Sequence, residues 1–333
     1  MHDRSPAIVD DRLRELVERA VRLEKYPIAK LISLFERADN STAQGDILGY
    51  LHAQRAEDME PRPSRVIGMT GSPGAGKSTL LGKLALSLIN RDPRLRIAVV
   101  AVDPSSVSSG GALLGDRMRT HFPVGEPRIF FRSQAAAGDL GGVSRRTFSV
   151  VRVLEYLFDL IFVETVGIGQ SEVEIGRLAD TTVLVMQPLA GDHVQFMKCG
   201  IMEIPSAFVI HKCDEDALAR RSLHELERAV EWARVGSEGT HRLPIFQTSA
   251  ITGRGIDDVA EFVMASVSQP VSAARHHDRA VYFLRKEIAD RYGRFGLVEL
   301  DRLLDVNAEQ GDDPTWYDRV LANVLERIRS RIR

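Results

Sequence analysis

The run Gly71-Ser72-Pro73-Gly74-Ala75-Gly76-Lys77-Ser78 constrains this chain more than any other feature. It is a complete G-x-x-x-x-G-K-S phosphate loop, and such a loop works only between a strand and a helix. Its glycines let successive backbone N–H groups turn inward, and the helix N-terminus adds the positive end of its dipole. The flanks comply. Val66-Ile67-Gly68-Met69-Thr70 reads as the strand, and Lys77 to Asn90 as the helix, with Leu80, Leu81, Leu84 and Leu88 on one face. Gly71, Ser72, Pro73, Gly74, Ala75, Gly76, Lys77, Ser78 and Thr79 are therefore the expected phosphate-binding residues. Lys77 is expected to reach the β- and γ-phosphates, and Ser78 to ligate Mg²⁺.

A phosphate loop needs a sheet to carry it. Further apolar runs occur at Ile97–Val102, Ile129–Arg132, Leu160–Glu164, Val183–Gln187, Ala207–His211 and Pro244–Thr248. Rich in Val and Ile and apolar on both faces, they suit a parallel sheet covered by helices. The expected fold class is α/β, a mostly parallel P-loop NTPase sheet flanked by N-terminal and C-terminal helical extensions. The expected boundaries are a helical arm at 1–62, the nucleotide domain at 63–267 and a helical extension at 268–333. Pro61-Arg62-Pro63-Ser64 and Gln269-Pro270 punctuate them. In the extension, Val281, Leu284 and Ile288 form one apolar stripe. Tyr317, Val320, Leu321, Val324 and Ile328 form another, opened by Asp313-Pro314 as N-cap and first helical residue. Each stripe must be buried, on this chain or on another subunit.

Two more segments carry chemistry. Asp159-Leu160-Ile161-Phe162-Val163-Glu164-Thr165-Val166-Gly167 is an apolar strand ending in a carboxylate, with a glycine three residues on. Glu164 suits a water-mediated Mg²⁺ contact, and Gly167 N–H suits a γ-phosphate. Gln170 is placed to orient an attacking water. Between the motifs, Val102-Asp103-Pro104-Ser105-Ser106 leads into a Gly/Ser-rich stretch ending at Asp116, as a switch that orders around a γ-phosphate would be built. Asp116 is a candidate Mg²⁺ ligand.

Ala207-Phe208-Val209-Ile210 runs into His211-Lys212-Cys213-Asp214. Guanine offers N1–H and N2–H₂ on one edge, and a carboxylate accepts both, so Asp214 selects guanine over adenine. The usual motif is N-K-x-D; here His211 replaces Asn. Lys212 would lay its stem over the base. Gln247-Thr248-Ser249-Ala250 resembles the loop whose backbone supports guanine O6, which adds Ser249, Ala250 and Ile251.

Composition sets outer bounds. Lys+Arg 44 against Asp+Glu 46 gives a net charge of -2, which argues against a protein held by nucleic-acid phosphates or anionic lipid. No apolar run approaches the roughly 18 residues of a membrane span. Cys199 and Cys213 are too few for a disulfide framework or a four-cysteine zinc site, so a cytoplasmic, reduced setting is expected.

From about Arg65 to Gly255 the chain resembles the MeaB/ArgK-type P-loop GTPases of the SIMIBI class, the methylmalonyl-CoA mutase-associated G proteins. The resemblance rests on Gly71–Thr79, Val102-Asp103-Pro104-Ser105-Ser106, Gly110-Gly111, Leu114-Gly115-Asp116, Gly141-Gly142-Val143 and, above all, Glu164-Thr165-Val166-Gly167-Ile168-Gly169-Gln170-Ser171-Glu172. It implies a GTPase that binds GTP and GDP with Mg²⁺ held by Ser78, Asp103, Asp116 and Glu164, with Lys77, Glu164 and Gln170 as the catalytic set. It implies slow, partner-stimulated hydrolysis by a chaperone that protects and gates cofactor loading of an adenosylcobalamin-dependent acyl-CoA mutase, for methylmalonyl-CoA or an isobutyryl-type substrate. The mutase's adenosyltransferase is a further implied partner, and a homodimer formed through the C-terminal extension is the implied assembly. A switch loop from Gly191-Asp192 to Lys198 would communicate with the mutase. The competing readings are a metal-insertion GTPase of the hydrogenase or urease maturation type and a P-loop small-molecule kinase. The first would need a Cys/His cluster near the switches, and the second an acceptor pocket and no Asp214.

Overall fold

The computed structural model describes residues 10–37, 41–57, 63–103, 125–135, 143–165, 171–188, 204–233, 243–269, 272–304 and 313–332. They form two compact units. One comprises Ser64–Ser144 and Phe158–Gln269; the other comprises Met1–Pro63, Arg145–Leu157 and Pro270–Arg333.

The first unit is a sheet of seven strands: β1 (Arg65–Gly71), β2 (Ile97–Asp103), β3 (Ile129–Ala135), β4 (Leu160–Thr165), β5 (Thr181–Met186), β6 (Ala207–His211) and β7 (Ile245–Thr248). Their order is β3-β2-β4-β1-β5-β6-β7, and every pairing is parallel. β1, β4, β5 and β6 are buried at every position, which is why they read as continuous apolar runs. Helix α4 (Lys77–Arg91) buries Leu80, Leu81, Leu84 and Leu88 in one core with Ile67, Met69, Phe162 and Val185. That core also takes Val259, Ala260 and Val263 of α8 (Ile256–Val267). α6 (Ser171–Leu178) and α7 (Asp216–Ala233) complete the helices described in this unit.

Because all strands are parallel, their carboxyl ends share one edge. β1 is central, and β4 and β5 flank it. Ligands of open α/β sheets bind beyond this edge, where the connections diverge. Gly71, Asp103, Glu164, His211 and Thr248 end or nearly end their strands there.

The second unit is helical: α1 (Asp11–Val21), α2 (Lys25–Phe35), α3 (Ser41–Glu57), α5 (Arg145–Leu157), α9 (Ala273–Leu304, broken at Gly293) and α10 (Trp316–Ile332). The C-terminal stripes are spent inside this unit. Tyr317, Val320, Leu321, Val324 and Ile328 are all buried, as are Leu284 and Ile288. Phe148 of α5 stacks on Phe283 at 4.7 Å, with Tyr317 edge-on at 5.2 Å. The buried Arg152 pairs with Asp318 at 2.6 and 3.1 Å and donates to Pro314 O at 2.9 Å. Val281 of the first stripe is half-buried. α10 also opens two residues later than the Asp313-Pro314 signal. Asp313 Oδ1 accepts from Thr315 N at 2.8 Å and Thr315 Oγ1 at 2.7 Å, and this side-chain turn holds the helix off until Trp316.

Candidate nucleotide site

The phosphate loop is shaped by two glycines. Gly71 has φ 138°, and a Cβ there would lie 1.7 Å from Val185 O of β5, so only glycine lets β1 turn beside its neighbour. Gly76 has φ 89° and caps α4. Lys77 is 7 % exposed and folds back over its own loop. Its Nζ donates to Gly71 O at 2.7 Å and Ser72 O at 2.9 Å. An ammonium so held, at a helix N-terminus, marks a place built for anionic oxygens.

β4 brings the carboxylate to this loop. Met69 of β1 stands beside Glu164 in the sheet register, and Ser78 Oγ donates to Glu164 Oε1 at 2.6 Å. A hydroxyl and a carboxylate in contact are hard oxygen donors, the chemistry that Mg²⁺ takes, so the pair fits that ion. Behind them Thr165 Oγ1 donates to Thr70 Oγ1 at 2.9 Å and ties the two strand ends together.

β6 and β7 build the other half. Lys212 Nζ donates to Gly74 O at 2.6 Å, and its backbone lies at φ 65°, a left-handed conformation rare for a non-glycine. Cys213 N donates to Thr248 O at 2.9 Å, which pins that turn, and burial pushes the Cys213 thiol up. Asp214 is exposed and accepts from Ser249 Oγ. Ser249 Oγ accepts in turn from Ile251 N at 3.2 Å and Thr252 N at 3.1 Å. Ala250 and Ile251 follow in this loop, and Ile251 is 83 % exposed.

The structure thus brings together the phosphate-loop residues 71–79, Glu164, His211, Lys212, Asp214 and Ser249–Ile251. Asp116 and Gln170 lie outside the described residues, as do Asp192, Gln195, Lys198 and Cys199. Asp103 closes β2, but its side chain is outside the description. Sequence reasoning missed Thr248. Its hydroxyl lies 2.8 Å from His211 Nδ1, and nothing in the run Gln247-Thr248-Ser249 signals a partner 37 residues upstream. His211 is 2 % exposed, and burial pulls its pKa down to about 4, so the ring is neutral.

Residues 29–293 match the sequence pattern of the family described as methylmalonyl Co-A mutase-associated GTPase MeaB. This chain belongs to that family. A putative GTPase of Pyrococcus horikoshii is 41 % identical over 253 residues, covering 74 % of this chain and 75 % of that one. The methylmalonic aciduria type A homolog, mitochondrial, of Mus musculus is 35 % identical over 265 residues, covering 75 % of this chain and 63 % of that one. Among solved structures, a LAO/AO transport system kinase covers 96 % of this chain and is itself covered completely, with a TM-score of 0.58 and 24 % identity; that likeness is one of fold. As a MeaB-family member the chain is a P-loop GTPase, of a family associated with methylmalonyl-CoA mutase. Among the described residues no helix is long and apolar enough to cross a membrane.

Proposed function

We propose that this protein is a GTP-hydrolysing chaperone of an adenosylcobalamin-dependent acyl-CoA mutase, a cytoplasmic homodimer that protects the mutase and gates its cofactor loading, with the mutase's adenosyltransferase as a further partner. The observation that carries the reading is the joint presence, on one sheet edge of a MeaB-family chain, of a phosphate loop, the Ser78–Glu164 pair and the Asp214–Ser249 pair. Residues 71–79 wrap the phosphates of GTP, and Lys77 exchanges its two loop carbonyls for β- and γ-phosphate oxygens. Ser78 and Glu164, with Asp103 and Asp116, hold Mg²⁺, which supplies neutralisation of the charge developing on the phosphates. Gln170 orients the attacking water; GTP and water give GDP and phosphate. Asp214 accepts the N1–H and N2–H of guanine, Lys212 covers the ring, and Ser249, Ala250 and Ile251 close on its O6 side.

The partner assignment draws on the family description and on the mouse relative's name. A mutase that binds one nucleotide state better shifts the population toward that state, and the nucleotide must change mutase affinity by the same factor. The test is a pull-down of candidate B12-dependent mutases with GTP, GDP or no nucleotide, with GTPase assays on each complex. Nucleotide-dependent capture with faster hydrolysis is expected. Failure of every such mutase from the same source to bind in any nucleotide state overturns the chaperone reading and leaves a GTPase with another client.

A further inference from the structure

At the end of β6, both edges of the His211 ring are in use. The Nδ1 edge meets Thr248 Oγ1 at 2.8 Å. The opposite edge presses on the phosphate loop: a Cβ on Gly76 would stand 2.7 Å from His211 Cδ2 and 3.2 Å from Nε2. The next residue, Lys212, holds Gly74 O. Two successive residues of one strand end thus grip the phosphate loop at two of its glycines.

The hydrogen bonds around Thr248 decide which ring nitrogen carries the proton. Thr248 has a single hydroxyl proton, and Ile210 O lies 3.5 Å away to receive it. The same oxygen then accepts from His211, so Nδ1 is the protonated nitrogen. The other tautomer turns the hydroxyl proton toward Nδ1 and gives up the bond to Ile210 O. With the ring neutral, Nε2 therefore bears a lone pair. Guanine N7 is also a lone-pair acceptor, and two acceptors do not bond. An asparagine here would instead offer amide N–H donors.

We propose that His211 seats the phosphate loop and leaves guanine N7 unread, so that this site selects its nucleotide at Asp214, from the Watson–Crick edge. The proposal rests on the guanine-nucleotide reading above. It makes His211 a positioning residue and predicts a specificity unlike that of a site with asparagine in this place.

The probe is 7-deazaguanosine triphosphate, which replaces N7 by C–H and leaves the Watson–Crick edge intact. The full-length wild-type protein is expected to bind it and GTP within about twofold of each other. His211→Asn supplies an amide donor and is expected to make GTP the tighter ligand by about five- to tenfold, the worth of one ordinary hydrogen bond. Nitrogen NMR of ¹⁵N-histidine-labelled wild-type protein is expected to show an unprotonated Nε2 at His211, free and GDP-bound. This measurement and the wild-type affinity ratio decide the matter even where the variant fails to fold. Tight GTP binding with 7-deaza-GTP tenfold weaker, or a protonated Nε2, overturns the proposal alone. A wild-type preference for ATP over GTP overturns the guanine reading and the proposal with it.

Discussion

Asp214→Asn tests the base site most directly. The substitution changes one atom and keeps the local scaffold: Oδ1 can still accept from Ser249 Oγ, which in turn holds Ile251 N and Thr252 N. What changes is the other end of the side chain, where an acceptor becomes an N–H donor facing a guanine N–H. One charge-assisted hydrogen bond is lost and two donors are opposed, at a cost of about 2–3 kcal/mol. That is a loss of about 30- to 150-fold in GTP affinity. Xanthine carries a carbonyl where guanine carries its amino group, so the new amide suits it, and XTP should gain while GTP falls. The assay is displacement of a fluorescent GDP analogue by GTP, XTP and ATP at fixed Mg²⁺. Ser249→Ala is the control. It removes the hydroxyl that orients the carboxylate and accepts from Ile251 N and Thr252 N, keeps Asp214 itself, and should cost about 1 kcal/mol, roughly fivefold. A variant Asp214→Asn that binds GTP within threefold of wild type, with no gain for XTP, refutes the assignment of Asp214 to the base.

Lys77→Ala removes the ammonium that Gly71 O and Ser72 O hold in place, and single-turnover assays should show hydrolysis abolished. His211 gives folding a pH dependence. Its folded pKa of about 4 lies below the unfolded value near 6.5, so between those values the unfolded chain binds a proton that the folded chain refuses. Stability contributed by this group is full above about pH 6.5 and is lost as the pH falls toward 4; melting curves of wild type and His211→Asn from pH 7.5 to 5 should show the variant losing less. Asp318→Ala leaves the buried Arg152 guanidinium without its counter-charge, a loss of about 3–5 kcal/mol, read as a lower melting temperature by circular dichroism. Replacing both partners by leucine should recover most of it.

The phosphate loop is legible because its constraint is local: eight consecutive residues must turn the backbone inward, and spacing alone records that. The strands of the sheet are legible for a related reason, since burial on both faces leaves apolar runs such as Leu160–Val163. What spacing does not record is the partner. The stripe Tyr317, Val320, Leu321, Val324 and Ile328 announces a face to be buried and cannot say against what; Phe148 and Phe283, distant in sequence, complete the answer. Arg145–Leu157 has an ordinary helical pattern, with nothing to assign it to the terminal helices instead of the sheet. His211 departs from the expected asparagine in plain view. Its consequence depends on Thr248 and Gly76, which lie beside it only once β6, β7 and the phosphate loop share an edge.

The three segments of the helical unit bear on how the chain is made. Its third helix, α3, packs against its last, α10, which begins about 260 residues further on, so at ~5–20 residues per second α3 waits some thirteen to fifty seconds for that partner. During that interval every strand of the sheet is synthesised, while α3 still lacks α10. The order of synthesis therefore favours a nascent chain whose nucleotide-site strands assemble first, with GTP or GDP able to steady them. It leaves α3 as the stretch that waits longest for a partner, until α10 has been synthesised.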